Sequence, residues 1–173
     1  APTANIWHAY FAQETSRDEA VIFVKGFPTC SYRAAAALNA AYGHLLDIDD
    51  VHNASIAHLG VVTIPAALAI ASKHHCTGRD TIAAIIAGYE VGARVGETIN
   101  PEAYKTWHTT AVVGGLATTA VVGKLIHLTK MQYLNAFGSA GTQAAGLWEF
   151  LNDGTMSKPL HTANATLCGI RSA

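Results

Sequence analysis

Thr109-Thr110-Ala111-Val112-Val113-Gly114-Gly115-Leu116-Ala117-Thr118-Thr119-Ala120-Val121-Val122-Gly123 is the stretch on which the fold turns. It shows no alternation of polar and apolar residues, and it is longer than a typical strand. It reads as a helix that follows His108 and runs to about Leu128, built from glycine, alanine and threonine. Its longest apolar run, Ala111 to Gly123, stops at Lys124 and is shorter than the roughly 20 residues a membrane span needs. A helix this thin packs closely against neighbours, and the other glycines, including Gly138, Gly141 and Gly146, extend that theme.

Working outward, the same economy holds across all 173 residues. Half of them are hydrophobic, yet only 8% are aromatic, and alanine, the strongest helix former, supplies much of the apolar count. No long stretch alternates as a half-buried strand would, so the expected class is all-α, a compact multi-helix domain. Charged residues make up 13%, about half of the roughly 25% usual in soluble domains. A second subunit, further chain, or both are therefore expected to cover part of the surface.

Punctuation marks the elements. Ile6, Trp7, Tyr10 and Phe11 have helical spacing without a clear cap, and Ser16-Arg17-Asp18-Glu19 fits a capping box leading into a short helix or strand through Val21–Val24. Ser31 opens a helix through Leu38 and Leu45 that ends in the acidic stretch Asp47-Ile48-Asp49-Asp50. Residues 51–60 read as loop, and Thr63 with Pro65 just inside opens a helix to about His75. Thr77-Gly78-Arg79-Asp80 precedes an amphipathic helix through Ile82, Ile85, Ile86, Tyr89 and Val95, broken at Asn100-Pro101. Thr129-Lys130-Met131-Gln132 is a further capping box, whose helix runs towards Leu147. Asn152-Asp153-Gly154 is a turn, and a last helix begins near Pro159 with no stop signal before Ala173. The expectation is one helical domain over 1–173, a piece of a longer chain cut inside that last helix.

Several function classes are excluded or disfavoured. With a formal charge of −1 and no basic stripe, nucleic acid is not an expected partner. No Gly-x-x-x-x-Gly-Lys phosphate loop occurs. Cys30, Cys76 and Cys168 are odd in number and widely spaced, which fits neither a disulfide framework nor a zinc ribbon. A reducing, cytoplasmic setting without membrane attachment is expected.

Three polar clusters could carry chemistry. The densest is His44, Asp47, Asp49, Asp50, His52 and His58. Crowded carboxylates and imidazoles suit general acid–base work because crowding drives their pKa values apart. Acidic residues at a helix C-terminus also oppose its dipole, although Asp49 and Asp50 could equally be solvated helix-end charges. The rival reading is a metal-dependent hydrolase centred on Asp47, Asp50, His52 and His58. The second cluster is Trp107-His108-Thr109-Thr110, where a helix start offers free backbone N–H groups to an anion; a buried or capping His108 is the plainer alternative. In the third, Ser157-Lys158-Pro159-Leu160-His161, Lys158 and His161 could face one ligand. A non-catalytic helical dimerisation module remains a further alternative.

Taken in order, these pieces resemble the MmgE/PrpD family. Asn39-Ala40-Ala41-Tyr42-Gly43-His44-Leu45-Leu46-Asp47-Ile48-Asp49-Asp50 is similar to its Asp-x-Asp-Asp signature. His58 with Gly60, Ile64-Pro65-Ala66-Ala67-Leu68-Ala69, Gly78-Arg79-Asp80 and Ala87-Gly88-Tyr89-Glu90-Val91-Gly92-Ala93-Arg94 continue it. Trp107-His108, Ala140-Gly141-Thr142-Gln143-Ala144-Ala145-Gly146-Leu147 and Lys158-Pro159-Leu160-His161 complete it. The resemblance implies 2-methylcitrate dehydratase, cis-aconitate decarboxylase and iminodisuccinate epimerase as relatives, with a large helical domain, a smaller α/β lid that would lie outside this chain, and a homodimer. It implies a lyase without cofactor or metal that removes a proton next to a carboxylate of a small polycarboxylate, with 2-methylcitrate-like dehydration ahead of decarboxylation or epimerisation. Asp47, His58, His108 and Lys158 match the family's active-site positions, with Asp50, His52, Thr109 and His161 expected to bind substrate. Val51 departs from the family's threonine and cannot hydrogen-bond a substrate oxygen.

Overall fold

A computed structural model describes residues 5–6, 9–10, 17–27, 29–99 and 101–173. Among the described residues seven helices are complete and follow one another: α1 (Tyr32–Gly43), α2 (Gly60–His74), α3 (Gly78–Glu97), α4 (Thr109–Leu125), α5 (Lys130–Gly141), α6 (Phe150–Asp153) and α7 (Lys158–Ser172), with a 3₁₀ turn at Ala103–Lys105. Among the described residues there is no strand, only the isolated bridges Ala20–Cys30, His52–Ala57 and Trp107–Leu147. The all-α expectation holds.

Helix starts with a local cap fall where the sequence places them. Ser31 accepts from the Ala34 N–H, Thr77 accepts from Asp80, and Thr129 with Gln132 forms a full capping box. Elsewhere the boundaries differ for physical reasons. α2 begins at Gly60 rather than Thr63, because the carboxylate of Asp50, ten residues upstream, accepts from the Gly60 N–H at 3.3 Å. Pro65 consequently lies inside the helix. α1 stops at Gly43 rather than near Leu45, and the chain then turns through Asp47 in the left-handed region at φ 55°. α4 ends at Leu125, short of Leu128, before His127 at φ 58°. α5 ends at Gly141, short of Leu147.

The segment Val21–Val24 is neither helix nor strand. The side chain of Asn39 satisfies it instead, accepting from the Phe23 N–H at 2.8 Å and donating to the Val21 carbonyl at 2.9 Å. Glu19 opens no helix of its own: it accepts from the N–H of Tyr32, the first residue of α1, at 3.2 Å and from Lys73 at 2.6 Å. Ser16, Trp7, Phe11, Pro28 and Asn100 lie outside the described residues.

The core is alanine-rich. Ala34–Ala37 and Leu38 of α1 pack with Ile70 of α2 and Val121 and Leu125 of α4. The closest helix pairs are α4 with α7 and α3 with α4. Position by position, Gly114 lies under Ala165, Gly115 under Cys168, and Thr118 against Gly169, so α4 and α7 run parallel. His58 meets Thr110 before α2, Val62 accepts from Thr118 at 3.2 Å, and Cys76 beyond its end reaches the Leu125 carbonyl, so α2 runs in the same direction as α4. Thr162 near the start of α7 donates to the Ala40 carbonyl near the end of α1 at 3.0 Å. The starts of α2, α4 and α7 and the end of α1 are therefore gathered at one end of the bundle.

This packing sets an asymmetry between glycines. A Cβ on Gly169 would lie 2.6 Å from the Thr119 backbone nitrogen, whereas one on Gly138, exposed on α5, would meet nothing. Gly169→Val is expected to cost about 3 kcal/mol, the upper end for overpacking, and Gly138→Ala to stabilise by about 0.5–1 kcal/mol. Urea midpoints at constant slope check both.

Candidate active site

The gathered helix ends carry the polar side chains. His44, the C-terminal cap residue of α1, is buried, with 1% of its surface exposed. Its Nδ1 makes hydrogen bonds to both Asp49 oxygens, at 3.0 and 2.9 Å. The left-handed turn at Asp47 is what brings Asp49 inward and leaves Asp50 on the other side of the chain. His58 precedes α2 and is pinned by its backbone: its N–H donates to Thr110 Oγ1 on α4 at 3.0 Å.

The His58 ring sits between two carboxylates. Its Nδ1 lies 3.2 Å from Asp49 Oδ2 and its Nε2 lies 3.7 Å from Asp47 Oδ1. The Nδ1 contact is close but not aligned as a hydrogen bond, so it acts as an ion-pair attraction. Lys158, the first residue of α7, places Nζ 2.7 Å from Asp47 Oδ1. The result is a relay of alternating charge: Asp49, His58, Asp47, Lys158.

His108 caps the start of α4 by position, not by a side-chain hydrogen bond. Its ring is buried against Trp148 at 4.6 Å, stacked on His44 at 5.8 Å, and 6.3 Å from Phe150. Its Nδ1 faces His161 Nδ1, in the first turns of α7, at 3.0 Å.

The environments split the titrating groups. The Asp49 carboxylate beside His58 raises the histidine's pKa, outweighing its burial. Burial works to raise Asp49, but the imidazoles of His44 and His58 outweigh it and hold the carboxyl well below its usual range. The hydrogen bond from Lys158 holds Asp47 low as well. Burial, aided by the neighbouring His161 and His44, pushes His108 down to about 2, and burial lowers His161 also. The Asp49 carboxylate thus favours the protonated form of one imidazole, and burial favours the neutral form of another.

Of the residues singled out in the sequence, Asp47, His58, His108, Lys158 and His161 come together, joined by His44 and Asp49. Asp50, His52 and Thr109 do not join them. Asp50 holds the start of α2 and accepts from Tyr89 Oη at 3.0 Å. His52 turns to Ser55 Oγ at 2.9 Å and to Glu97 at 3.7 Å. Thr109 lines a separate apolar cavity with Ile99, Trp107 and Val112, and Val51 is exposed. Thr110, singled out in the sequence only as part of the helix start after His108, is the residue that anchors His58.

A divalent cation could be held by His44, Asp47, Asp49 and His58, whose ligand atoms lie within 4.8 Å of one another. That set replaces the Asp50 and His52 expected for a metal centre, and the Lys158 ammonium already occupies one side of Asp47.

Imidazoles, carboxylates and one ammonium thus converge on helix starts, an arrangement that can exchange protons and attract anions. Over residues 1–173 the chain matches the MmgE/PrpD N-terminal domain, and it belongs to the MmgE/PrpD family. It is 33% identical over 138 residues to the cis-aconitate decarboxylase-like protein oryM of Aspergillus oryzae, covering 75% of this chain and 29% of that protein. It is 33% identical over 135 residues to a cis-aconitate decarboxylase of Aspergillus terreus, covering 74% and 28%. Against a human cis-aconitate decarboxylase it is 31% identical over 145 residues, covering 80% and 30%. The chain therefore spans less than a third of the length of these relatives. Among the described residues no helix is long and apolar enough to cross a membrane.

Two consequences are measurable. In Asp49→Asn the His58 pKa should fall, read from the pH titration of its ring C–H signals by NMR; an unchanged value would show that Asp49 does not set it. For stability the signs differ. His58, raised in the fold, stabilises below its unfolded value of about 6.5 and loses that contribution as pH rises through its folded value. His108, depressed to about 2, stabilises above about 6.5 and progressively loses that contribution as pH falls. His108→Gln should therefore flatten the loss of urea resistance between about pH 6.5 and 4.5.

Proposed function

We propose that this chain is the helical part of a lyase that acts on a small polycarboxylate, and that the reaction is decarboxylation of a cis-aconitate-like acid. The observation that carries this reading is the relay Asp49–His58–Asp47–Lys158 set at the starts of three helices. Helix starts and an ammonium attract carboxylates, and a histidine with a raised pKa is suited to deliver a proton.

In this reading a substrate carboxylate displaces Asp47 from Lys158, which then holds it. Asp47 stays ionised; its depressed pKa makes it a weak base and suits it to orient Lys158 and His58. As the bond between carbon and the departing carboxylate breaks, CO2 leaves. The electron pair spreads into the remaining conjugated carboxylate, where Lys158 and a neutral His108 stabilise the developing charge. The proton on His58 Nε2 then passes to carbon, and solvent restores it. No cofactor is required by this scheme.

The relatives' names favour decarboxylation over the 2-methylcitrate-type dehydration that the motifs alone suggested. Dehydration and epimerisation both start with a base that removes a C–H proton, whereas decarboxylation needs a proton donor, the role that the Asp49 carboxylate favours for His58. A dimer, an α/β lid closing the site and a cytoplasmic setting belong to the same proposal.

The test is NMR in D2O with cis-aconitate, citrate, 2-methylcitrate and iminodisuccinate. CO2 release from cis-aconitate with one deuterium entering the product is expected, reduced at least about 100-fold by Lys158→Ala or His58→Gln. Loss of a C–H signal from 2-methylcitrate or iminodisuccinate without CO2 would replace decarboxylation by dehydration or epimerisation. A strict requirement for a stoichiometric divalent cation would replace it by metal-dependent chemistry.

A further inference from the structure

His108 and His161 face each other through the same ring atom, Nδ1 to Nδ1, at 3.0 Å. Two facing nitrogens at that distance hold one hydrogen between them. Two N–H groups would collide, and two lone pairs would repel. The pair therefore couples the tautomers: whichever ring donates from Nδ1 leaves its Nε2 bare, and the other ring presents Nε2–H.

We infer that His161 is the donor, and that it is a positioning residue which fixes His108 as the Nε2–H tautomer. The surroundings differ in the required sense. His108 is buried against Trp148 and Phe150, whose rings are inclined at 46° and 69° to it. Aromatic faces are negative and tolerate an N–H far better than a lone pair. His161 is only half-buried and lines a small cavity of about 60 Å³ that is largely apolar but includes Gln143 and Asn164. That is room for about two waters, from which a bare nitrogen can accept.

The consequence rests on the acid–base reading above. With its Nε2–H fixed, His108 is a neutral hydrogen-bond donor to a carboxylate or developing enolate oxygen, and it is not the base. Proton delivery is left to His58. Anchoring is mutual, because the two rings stand on α4 and α7, whose spacing is set by Gly114 and Gly115.

Two-bond proton–nitrogen correlation spectra of the histidine-labelled chain, without substrate, test this directly and need no turnover. Expected are a bare Nδ1 with a protonated Nε2 in His108, and a protonated Nδ1 in His161. In His161→Phe the His108 signals should move to a tautomer mixture. His161→Asn, whose amide N–H can reach the same place, should restore the Nε2–H form. If cis-aconitate is turned over, its rate should follow the same order, at least about 10-fold lower in His161→Phe and recovering in His161→Asn. A protonated Nδ1 on His108 in the parent chain overturns the assignment, and so does an unchanged His108 tautomer in His161→Phe. The parent spectrum alone decides the matter if the phenylalanine variant does not fold. Absence of turnover with the expected tautomers would count against the lyase reading only.

Discussion

The close parallel contact of α4 and α7 is the constraint from which the rest of the structure follows. It exists because α4 presents glycine, alanine and threonine where a bundle helix ordinarily presents leucine. Gly114 and Gly115 let Ala165 and Cys168 approach, and Gly169 lets Thr118 approach. Buried threonines make this seam polar, and most of the hydroxyls are satisfied: Thr119 donates to the Gly115 carbonyl at 2.8 Å and Thr162 to Ala40 at 3.0 Å, while Thr166 Oγ1 has no partner. Parallel packing has an electrostatic cost, since like ends of helix dipoles lie together. The starts of α2, α4 and α7 concentrate positive potential at one end of the domain. Three aspartates answer it there: Asp50 on the start of α2, and Asp47 and Asp49 among the histidines. An anionic ligand is stabilised by the same field.

Within that field, burial sorts chemically identical side chains into different roles. His58 lies between two carboxylates at the rim and gains proton affinity, while His108, one layer deeper among aromatic rings, loses it. Asp49 is shared by two imidazoles and Asp47 by an imidazole and an ammonium. Neither carboxylate is placed to act as a strong base, and both fix the cations beside them. The proposed delivery of a proton next to a carboxylate draws on this arrangement.

Legibility in the sequence followed the range of the interactions. Ser31, Thr77 and Thr129 cap helices through bonds three residues away, so those starts were readable. The start of α2 was not, because its cap comes from Asp50 ten residues earlier. The ends at Leu125 and Gly141 come earlier than the sequence suggests; at Leu125 the stop is a left-handed histidine, His127, where a glycine would have announced it. The polar cluster was visible as a density of His and Asp, and His58, His108 and Lys158 were readable as motif positions. Which aspartate points inward depended on a single left-handed residue, Asp47, that periodicity does not reveal. The anchoring of His58 by Thr110 spans 52 residues and leaves no local trace.

The central claim is that Lys158 and His58 form one anion-binding, proton-delivering unit at the convergent helix starts. Titrating the chain with cis-aconitate while following the histidine ring signals by NMR tests it most directly. The account predicts saturable shifts at His58, His108 and His161, smaller at His52, with the His58 pKa altered by the bound anion and all of these effects lost in Lys158→Ala. Shifts confined to His52, or shifts at His58 that survive Lys158→Ala unchanged, would contradict it.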